Sequence, residues 1–450
     1  MEKSGSEANQ RHVDKINRIL AGIRTRLDAG EPLQFKKASV SHVVPLPLSM
    51  RTQKKDPIDL SDLTEILEIN VEDKFCITEP GVTFAQLVKQ TLALGLVPVV
   101  VPELEDITIG GGVAGCSVES MSYKFGGFHD NCSEYEVITG DGKLLKISPD
   151  TDPLSFEMMH GSYGTLAVLT CVKFRLVPAQ NYVRMEYRHF QDFESFNAEM
   201  LRLCEERKTD FIDGIIHSKN KFTLCLGHFV DSAPYLSDYR WLNIYYKSTR
   251  DRTEDFLTTY DYFFRYDTEC HWLTKNIPGL ENKAVRLLAG KFVLGSTNLI
   301  KWVRRLDYVH RLKKRPDVIV DIFIPATRLE SFYSWYAKDF DFFPLWIVPY
   351  RLPKMYPWVG EKYSEKMDTL LFIDCAIYGR SNTEADVDYS QVLEEKTYEL
   401  AGIKTLISRN HFTKDRFWEV YNEPNYRSVK KKLDPQGKLP DLYKKLGQLH

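Results

Sequence analysis

The stretch ITIGGGVAGCSVES, residues 107–120, sets Gly110, Gly111 and Gly112 in a row and adds Gly115. Glycine strips away Cβ where a chain must turn at positive φ or let something touch its backbone. Consecutive bare amides in a loop or at a helix start form a bed for pyrophosphate. Read alone, the run accommodates a tight turn or a bulge against a neighbouring strand just as well. It is not a P-loop, because no Gly-Lys-Ser/Thr closes it. It also lacks the strand–turn–helix frame, with an acidic residue about 20 positions on, of the doubly wound dinucleotide folds. A large, flat, phosphorylated ligand on this segment therefore demands a different fold.

Composition narrows the field. Sixty basic against 62 acidic residues among 450 leave a formal charge of -2, and no basic block tracks a run of phosphates, so nucleic acid is disfavoured. The run Lys430-Lys431-Lys432 reads as a solvated helix face. The length suggests two or three folded units. Eight cysteines are scattered without a CxxC pair, which gives neither a zinc site nor a redox dithiol and points to a reducing compartment. The most apolar run, residues 92–101, is short and is broken by Gly95 and Pro98, so no membrane span is expected.

Periodicity supplies a coarse α+β outline. Val13, Ile16, Leu20, Ile23 and Leu27 fall three or four apart before Gly30, predicting an amphipathic helix. A second helix is predicted over 83–94, with a buried strand in VPVVVP. Residues 134–139 and LLKIS, joined through Gly140-Asp141-Gly142, predict a hairpin, and residues 166–177 a further strand. Beyond Pro178, FIDGIIHS, KFTLCLGHFV, DVIVDIFIP, FPLWIVPYRLP and LLFIDCAIYG read as strands, with a helix over 192–206 between them. That pattern predicts one antiparallel sheet with helices on one face. Residues 235–312 read as aromatic-rich and helical or irregular.

Further glycine-bearing pieces surround the opening segment: Phe125-Gly126-Gly127-Phe128-His129-Asp130-Asn131 and Gly161-Ser162-Tyr163-Gly164-Thr165. The arrangement resembles the FAD-binding domain of the vanillyl-alcohol-oxidase family, the PCMH-type fold. More narrowly, PELEDITIGGGVAGCSVESMSYKFGGF, HGSYGTLAVLTCVKFRLVPAQNYVRM, FPLWIVPYRLP, LLFIDCAIYG and RFWEVYN with VKKKL resemble, in order, the delta-24-sterol reductases of the Diminuto/seladin type. The resemblance runs over about residues 36–446. It implies a two-subdomain FAD-binding domain over 12–178, a substrate or cap domain over 179–410 with an antiparallel sheet covered by helices, and a helical segment over 411–450 that returns toward the flavin. It also implies non-covalent FAD, with NADPH as donor and a sterol or terpenoid as substrate.

Under that resemblance the cofactor lies along Thr108, Ile109, Gly110, Gly111, Gly112, Val113 and Ala114. It continues along Gly115, Cys116, Ser117, Val118, Glu119, Ser120 and Ser122. Gly126, Asp130, Gly161, Gly164 and Thr165 complete the bed, and Ser39 and Ser41 fall where the family places its first pyrophosphate loop. All four glycines of the opening segment are expected to clear room for the cofactor. Glu119 faces the ribityl chain or caps the following helix. The chain departs from the family in places. Ser120-Met121-Ser122-Tyr123-Lys124-Phe125-Gly126 puts Tyr123 where the family has histidine, and Lys36-Lys37-Ala38-Ser39 lacks the glycine of the first loop. The family's N-terminal membrane segment is not among these residues. The expected place is therefore the cytoplasm, with peripheral contact at the endoplasmic reticulum membrane. No metal site is expected. His42 lacks the glycine frame that accompanies covalent flavin.

Reducing an isolated alkene needs an acid that stays protonated near neutral pH, in dry and aromatic surroundings. Asp374, within LFIDCAIY, is the leading candidate, with Tyr378, Tyr350 and His271 beside it; a charge at a strand end or an arginine partner is its plain alternative. Asp321 and His411 carry the same ambiguity. Two other outcomes stand against the reductase: an FAD oxidase or dehydrogenase of an alcohol or lipid, and a lipid-binding relative that has lost catalysis.

Overall fold

The computed structural model of the chain describes residues 2–38, 56–269, 275, 281–293, 317–384 and 386–447. Ser39, Ser41, His42 and His271 lie outside them. The N-terminal amphipathic pattern forms the helix Glu2–Asp28, and Gly30 follows it at φ 71. Its Ile16, Ile19 and Ile23 bury against Leu60, Leu63, Ile138 and Val168.

A short parallel pair, β1 (Phe35–Lys36) and β2 (Ile58–Asp59), precedes the first large sheet. That sheet comprises β3 (Ile66–Asn70), β4 (Phe75–Thr78), β5 (Leu96–Pro98), β6 (Cys132–Ile138), β7 (Leu144–Ile147) and β8 (Val168–Pro178). Its order is β3–β4–β8–β6–β7, with β5 also on β8, so the long β8 is the spine. The predicted second helix is Phe84–Leu92; Thr83 caps it by accepting from the Gln86 N–H at 3.1 Å. VPVVVP is strand only at its start: Val99, Val100 and Val101 are buried without ladder pairing.

The second sheet has eight strands, antiparallel throughout: β9 (Tyr182–Phe190), β10 (Phe211–Ser218), β11 (Lys221–Val230), β12 (Glu254–Thr258), β13 (Val318–Pro325), β14 (Leu345–Arg351), β15 (Leu371–Arg380) and β16 (Ile403–Lys404). Their order is β12–β9–β11–β10–β14–β15–β13–β16. Period-two alternation divides the sheet's residues between its faces. Leu371, Ile373, Cys375 and Ile377 of β15 share a core with the helices Phe193–Glu206, Leu329–Trp335 and Tyr389–Glu399. Phe372 and Ala376, with Trp346, Val348 and Tyr350 of β14, join the core of the first sheet. The second sheet thus carries helices on one face and the glycine-rich region on the other. The edge pair β9 and β12 was not assigned from sequence. In β9 charged residues alternate with the buried Val183, Met185 and Tyr187, which disguises the strand.

Register aligns a row of side chains across the face that meets the first sheet. Val348 pairs with Asp374, Asp374 with Phe323, and Phe323 with Ile403. On the other side, pairing of Gly214 with Ile347 sets Asp213 level with Val348. Two buried acids therefore stand in one row with a single valine between them.

Candidate flavin site

The opening glycine segment is a short helix, Ile109–Ala114, capped by Thr108, whose Oγ1 accepts from the Gly111 N–H at 3.2 Å. Ile109 and Val113 bury into the core. A Cβ on Gly110 would stand 2.7 Å from Pro80 Cβ, and one on Gly112 3.0 Å from the Phe128 ring. Gly110 and Gly112 are therefore demanded by the protein's own packing, with or without a cofactor against them. Gly111 is exposed. Cys116 turns through φ 56, and this left-handed turn follows Gly115 at the helix end.

The expectation for Glu119 is corrected. It neither caps the next helix nor stands in the cavity wall described below. Its Oε1 accepts from Arg265 Nη2 at 2.9 Å, and its Oε2 from Ser120. Ser120 Oγ reaches Tyr262 OH at 3.0 Å, and Ser122 Oγ accepts from the Glu119 N–H at 2.9 Å. Ser117 and Val118 are half-buried, as is Ala114. Gly126, at φ 80, has no space for a Cβ, which would meet Asp130 Oδ2 at 2.6 Å. The Asp130 carboxylate is committed to protein groups: it accepts from the Gly127 N–H at 2.7 Å and from Tyr356 OH at 2.6 Å.

The second glycine-bearing turn holds Gly161 at φ 65, Tyr163 at φ 49 and Gly164 at φ 69. Thr165 Oγ1 donates to the Ser162 carbonyl at 2.7 Å. Lys430 is not a solvated residue. Its Nζ donates to the Thr165 carbonyl at 2.6 Å and pairs with Asp434 at 2.7 Å, so the helix Glu423–Leu433 is tied to this turn.

These pieces meet at a cavity of about 840 Å³, counting its open mouth. One wall is Gly115, Cys116, Met158, His160, Gly161, Ser162 and Tyr163. The second sheet contributes Phe323, Tyr350, Phe372, Ile403 and Lys404, and the later chain adds Trp418, Tyr421, Tyr426 and Leu442. Tyr356 and Trp358 stack at 5.0 Å between ring centroids on a third side. Sequence reasoning passed over His160 and Ser162, which sit between named glycines. Among the described residues Ser162 Oγ and His160 Nδ1 are buried without a hydrogen-bond partner, Glu157 Oε2 standing 3.6 Å from the latter. Such orphaned groups are exceptions that ask for a ligand or a water. A flat aromatic ring system with a polar edge, the chemistry of a flavin, fits this donor set.

Asp374 lies in the same sheet face, beside Phe323 across the ladder and two residues from Phe372 along β15. It is 3% exposed, and its Oδ1 has no partner among the described residues. It stands inside β15 rather than at a strand end, and among the described residues no arginine pairs with it. Burial pushes its carboxyl pKa well up, and Asp321 and Glu103 add to the shift. Tyr350 lines the cavity and hydrogen-bonds Tyr356. Tyr378 lies farther along β15, where its OH donates to Asp321 at 2.6 Å. The His411 N–H donates to Glu394 at 2.6 Å.

A family profile described as FAD binding domain matches residues 49–148, the stretch that contains the capped glycine helix. Delta(24)-sterol reductase of Homo sapiens is 26% identical over 410 residues, covering 88% of this chain and 78% of its own. The chain is an FAD-dependent oxidoreductase, similar over most of its length to the delta(24)-sterol reductases. A delta(24)-sterol reductase homolog of Caenorhabditis elegans is 24% identical over 98% of this chain and 88% of its own. Cytokinin dehydrogenase 9 of Oryza sativa subsp. japonica is 28% identical over 30% of this chain and 26% of its own. Likeness to the sterol reductases therefore extends through the second sheet, whereas the cytokinin dehydrogenase match covers less than a third of the chain. No helix of the described residues is long and apolar enough to cross a membrane.

Proposed function

We propose that this flavoenzyme reduces an isolated carbon–carbon double bond in the side chain of a sterol or related terpenoid, taking its hydride from NADPH by way of FAD. The carrying observation is Asp374, a buried acid whose Oδ1 has no partner among the described residues and whose ladder neighbour Phe323 lines the aromatic cavity. An isolated trisubstituted alkene is not polarised, so hydride alone does not add to it. Asp374 places its proton on the less substituted carbon, which leaves positive charge on the tertiary carbon where the hydride completes the second C–H bond. The resulting carboxylate recovers a proton from water before the next turnover. Burial keeps the acid neutral near pH 7, the state a proton donor needs. The ring faces of Phe323, Phe372 and Tyr350 stabilise the positive charge and keep water from capturing it.

FAD, when bound, supplies the hydride and is recharged by the nicotinamide. The groups proposed to hold it are Gly115 and Cys116 at the end of the capped helix, the turn over 161–165, and His160 and Ser162 at its polar edge. Ser39 and Ser41 remain proposed for the first loop. The apolar walls suit a hydrocarbon chain, as do the names of the relatives.

The test is anaerobic. NADPH is expected to bleach the flavin, and a side-chain-unsaturated sterol to restore its colour while gaining the mass of two hydrogens. Bleaching by an alcohol but not by NADPH makes the protein an oxidase or dehydrogenase. Purified protein that carries no FAD and takes up none sinks both flavoenzyme readings.

A further inference from the structure

Away from the cavity, one arginine joins the two halves of the site. Arg265 follows the helix Thr259–Phe263, and its side chain has no exposure to solvent. Nη2 reaches Glu119 Oε1 at 2.9 Å and Asp213 Oδ2 at 3.3 Å, and both carboxylates are buried as deeply. Trp346 of β14 donates Nε1–H to the same Asp213 oxygen at 2.8 Å. The guanidinium lies over the rings of Tyr262 at 4.3 Å and Tyr266 at 4.8 Å. Glu119 belongs to the glycine segment, Asp213 to β10 and Trp346 to β14, so three separate elements meet at one cation.

Stability alone does not account for this arrangement. Desolvating three ions costs several kcal/mol each, and apolar side chains of the same volume commonly hold a core as well or better. Charges supply direction instead. One nitrogen, Nη2, serves both carboxylates while Nη1 donates to the Tyr262 carbonyl at 3.0 Å, so the two acids are satisfied only when they converge on that single point. Asp213 occupies the cross-strand row of Asp374, with Val348 between them. Glu119 stands three residues beyond Cys116, which lines the cavity. Fixing Glu119 to Asp213 therefore fixes the flavin-side wall against the row that carries the acid.

We propose that Arg265 is a positioning residue that registers the glycine segment on the acid-bearing sheet. The inference rests on the reading that the flavin ring occupies the cavity. It acts through Glu119 and Asp213 and touches neither flavin nor substrate.

The experiment uses the full chain loaded with FAD and compares wild type with the apolar variant E119L/D213L/R265M. The variant is expected to fold and to retain FAD. Its flavin fluorescence per bound FAD is expected to rise about threefold, because aromatic walls held less closely quench less, and alkene reduction to fall about a hundredfold, a loss of the size a misplacement of about 1 Å produces. Glu119→Gln keeps an acceptor for Arg265 and is expected to hold the fluorescence low. Wild-type fluorescence and turnover in the apolar variant would overturn the proposal, since the cluster would then only fill space. Should that variant not fold, Arg265→Lys carries the test: it keeps the charge but loses the Nη1 bond to the Tyr262 carbonyl and the planar group over Tyr262 and Tyr266 that aim Nη2, so unchanged fluorescence overturns the proposal. If wild type reduces no sterol, the functional reading fails, and the fluorescence comparison still decides the role of Arg265.

Discussion

Asp213 and Asp374 make a natural experiment. They are the same residue type, in one cross-strand row, on one face of one sheet, and both are buried. Around Asp213 the protein has gathered Arg265, Trp346 and Tyr266. Beside Asp374 stand Phe323 and Val348, and two further acids raise its pKa. The first carboxyl has charged and polar partners, whereas burial and neighbouring acids push the pKa of the second upward. Under the proposed function the paired acid organises structure and the other donates a proton.

The sharpest way to break this contrast is Asp374→Asn. Alkene reduction is expected to fall about 10³-fold, the range of a lost general acid, while anaerobic bleaching by NADPH continues at its normal rate. Stopped-flow measurement of the two half-reactions checks it. Equal loss in both halves would place Asp374 elsewhere in the cycle.

Folding stability should separate the pair in the opposite sense. Asp213→Ala leaves Arg265 with Glu119 alone and strands the Trp346 N–H, at an expected cost of about 3 kcal/mol in urea unfolding. Asp374→Leu is expected to raise stability by about 1 kcal/mol at neutral pH. The sign follows from linkage: a carboxyl whose pKa is raised by folding weakens the native state at every pH above its unfolded pKa.

A third buried group tests whether pairing is general. His12 bonds Glu79 at 2.8 Å and Glu136 at 3.1 Å, tying the first helix to the first sheet. Burial opposes its charge, but the two carboxylates outweigh burial and raise its pKa from 6.5 to about 9. That stabilisation is full below 6.5 and is lost as pH rises through about 9. The difference is on the order of 3 kcal/mol, and His12→Gln is expected to flatten the alkaline fall in the urea midpoint.

The smallest effect concerns the opening segment. Gly112→Ala is expected to cost about 2 kcal/mol by forcing a methyl onto Phe84 and Phe128, whereas Gly111→Ala, on the exposed side, stays within about 0.5 kcal/mol. If Gly111→Ala nevertheless weakens FAD retention, the exposed amide side is the one that meets the cofactor.

What was legible in the sequence follows from range. The apolar runs of β10, β11, β13, β14 and β15 are local, and each of these strands was readable in isolation. Asp374 stood out because a charge inside LFIDCAIY interrupts such a run. Arg265 did not stand out, since its partners at 119, 213 and 346 are brought together only by folding. The packing role of Gly110 and Gly112 was hidden for a related reason: a glycine facing a cofactor and a glycine facing Pro80 or Phe128 look identical until the neighbour is known. His160 and Ser162 carried no signal beyond their glycine neighbours.

The walls of the cavity are far apart in the chain, and this has a consequence for how the enzyme matures. Trp418, Tyr421, Tyr426 and Leu442 close one side, and Lys430 and Lys445 hold the turn over 161–165 from behind. A ribosome must emit the polypeptide beyond Leu442 before that side exists. Closing the cavity is thus a late event in biosynthesis, and a nascent chain carrying both glycine segments still has that side open.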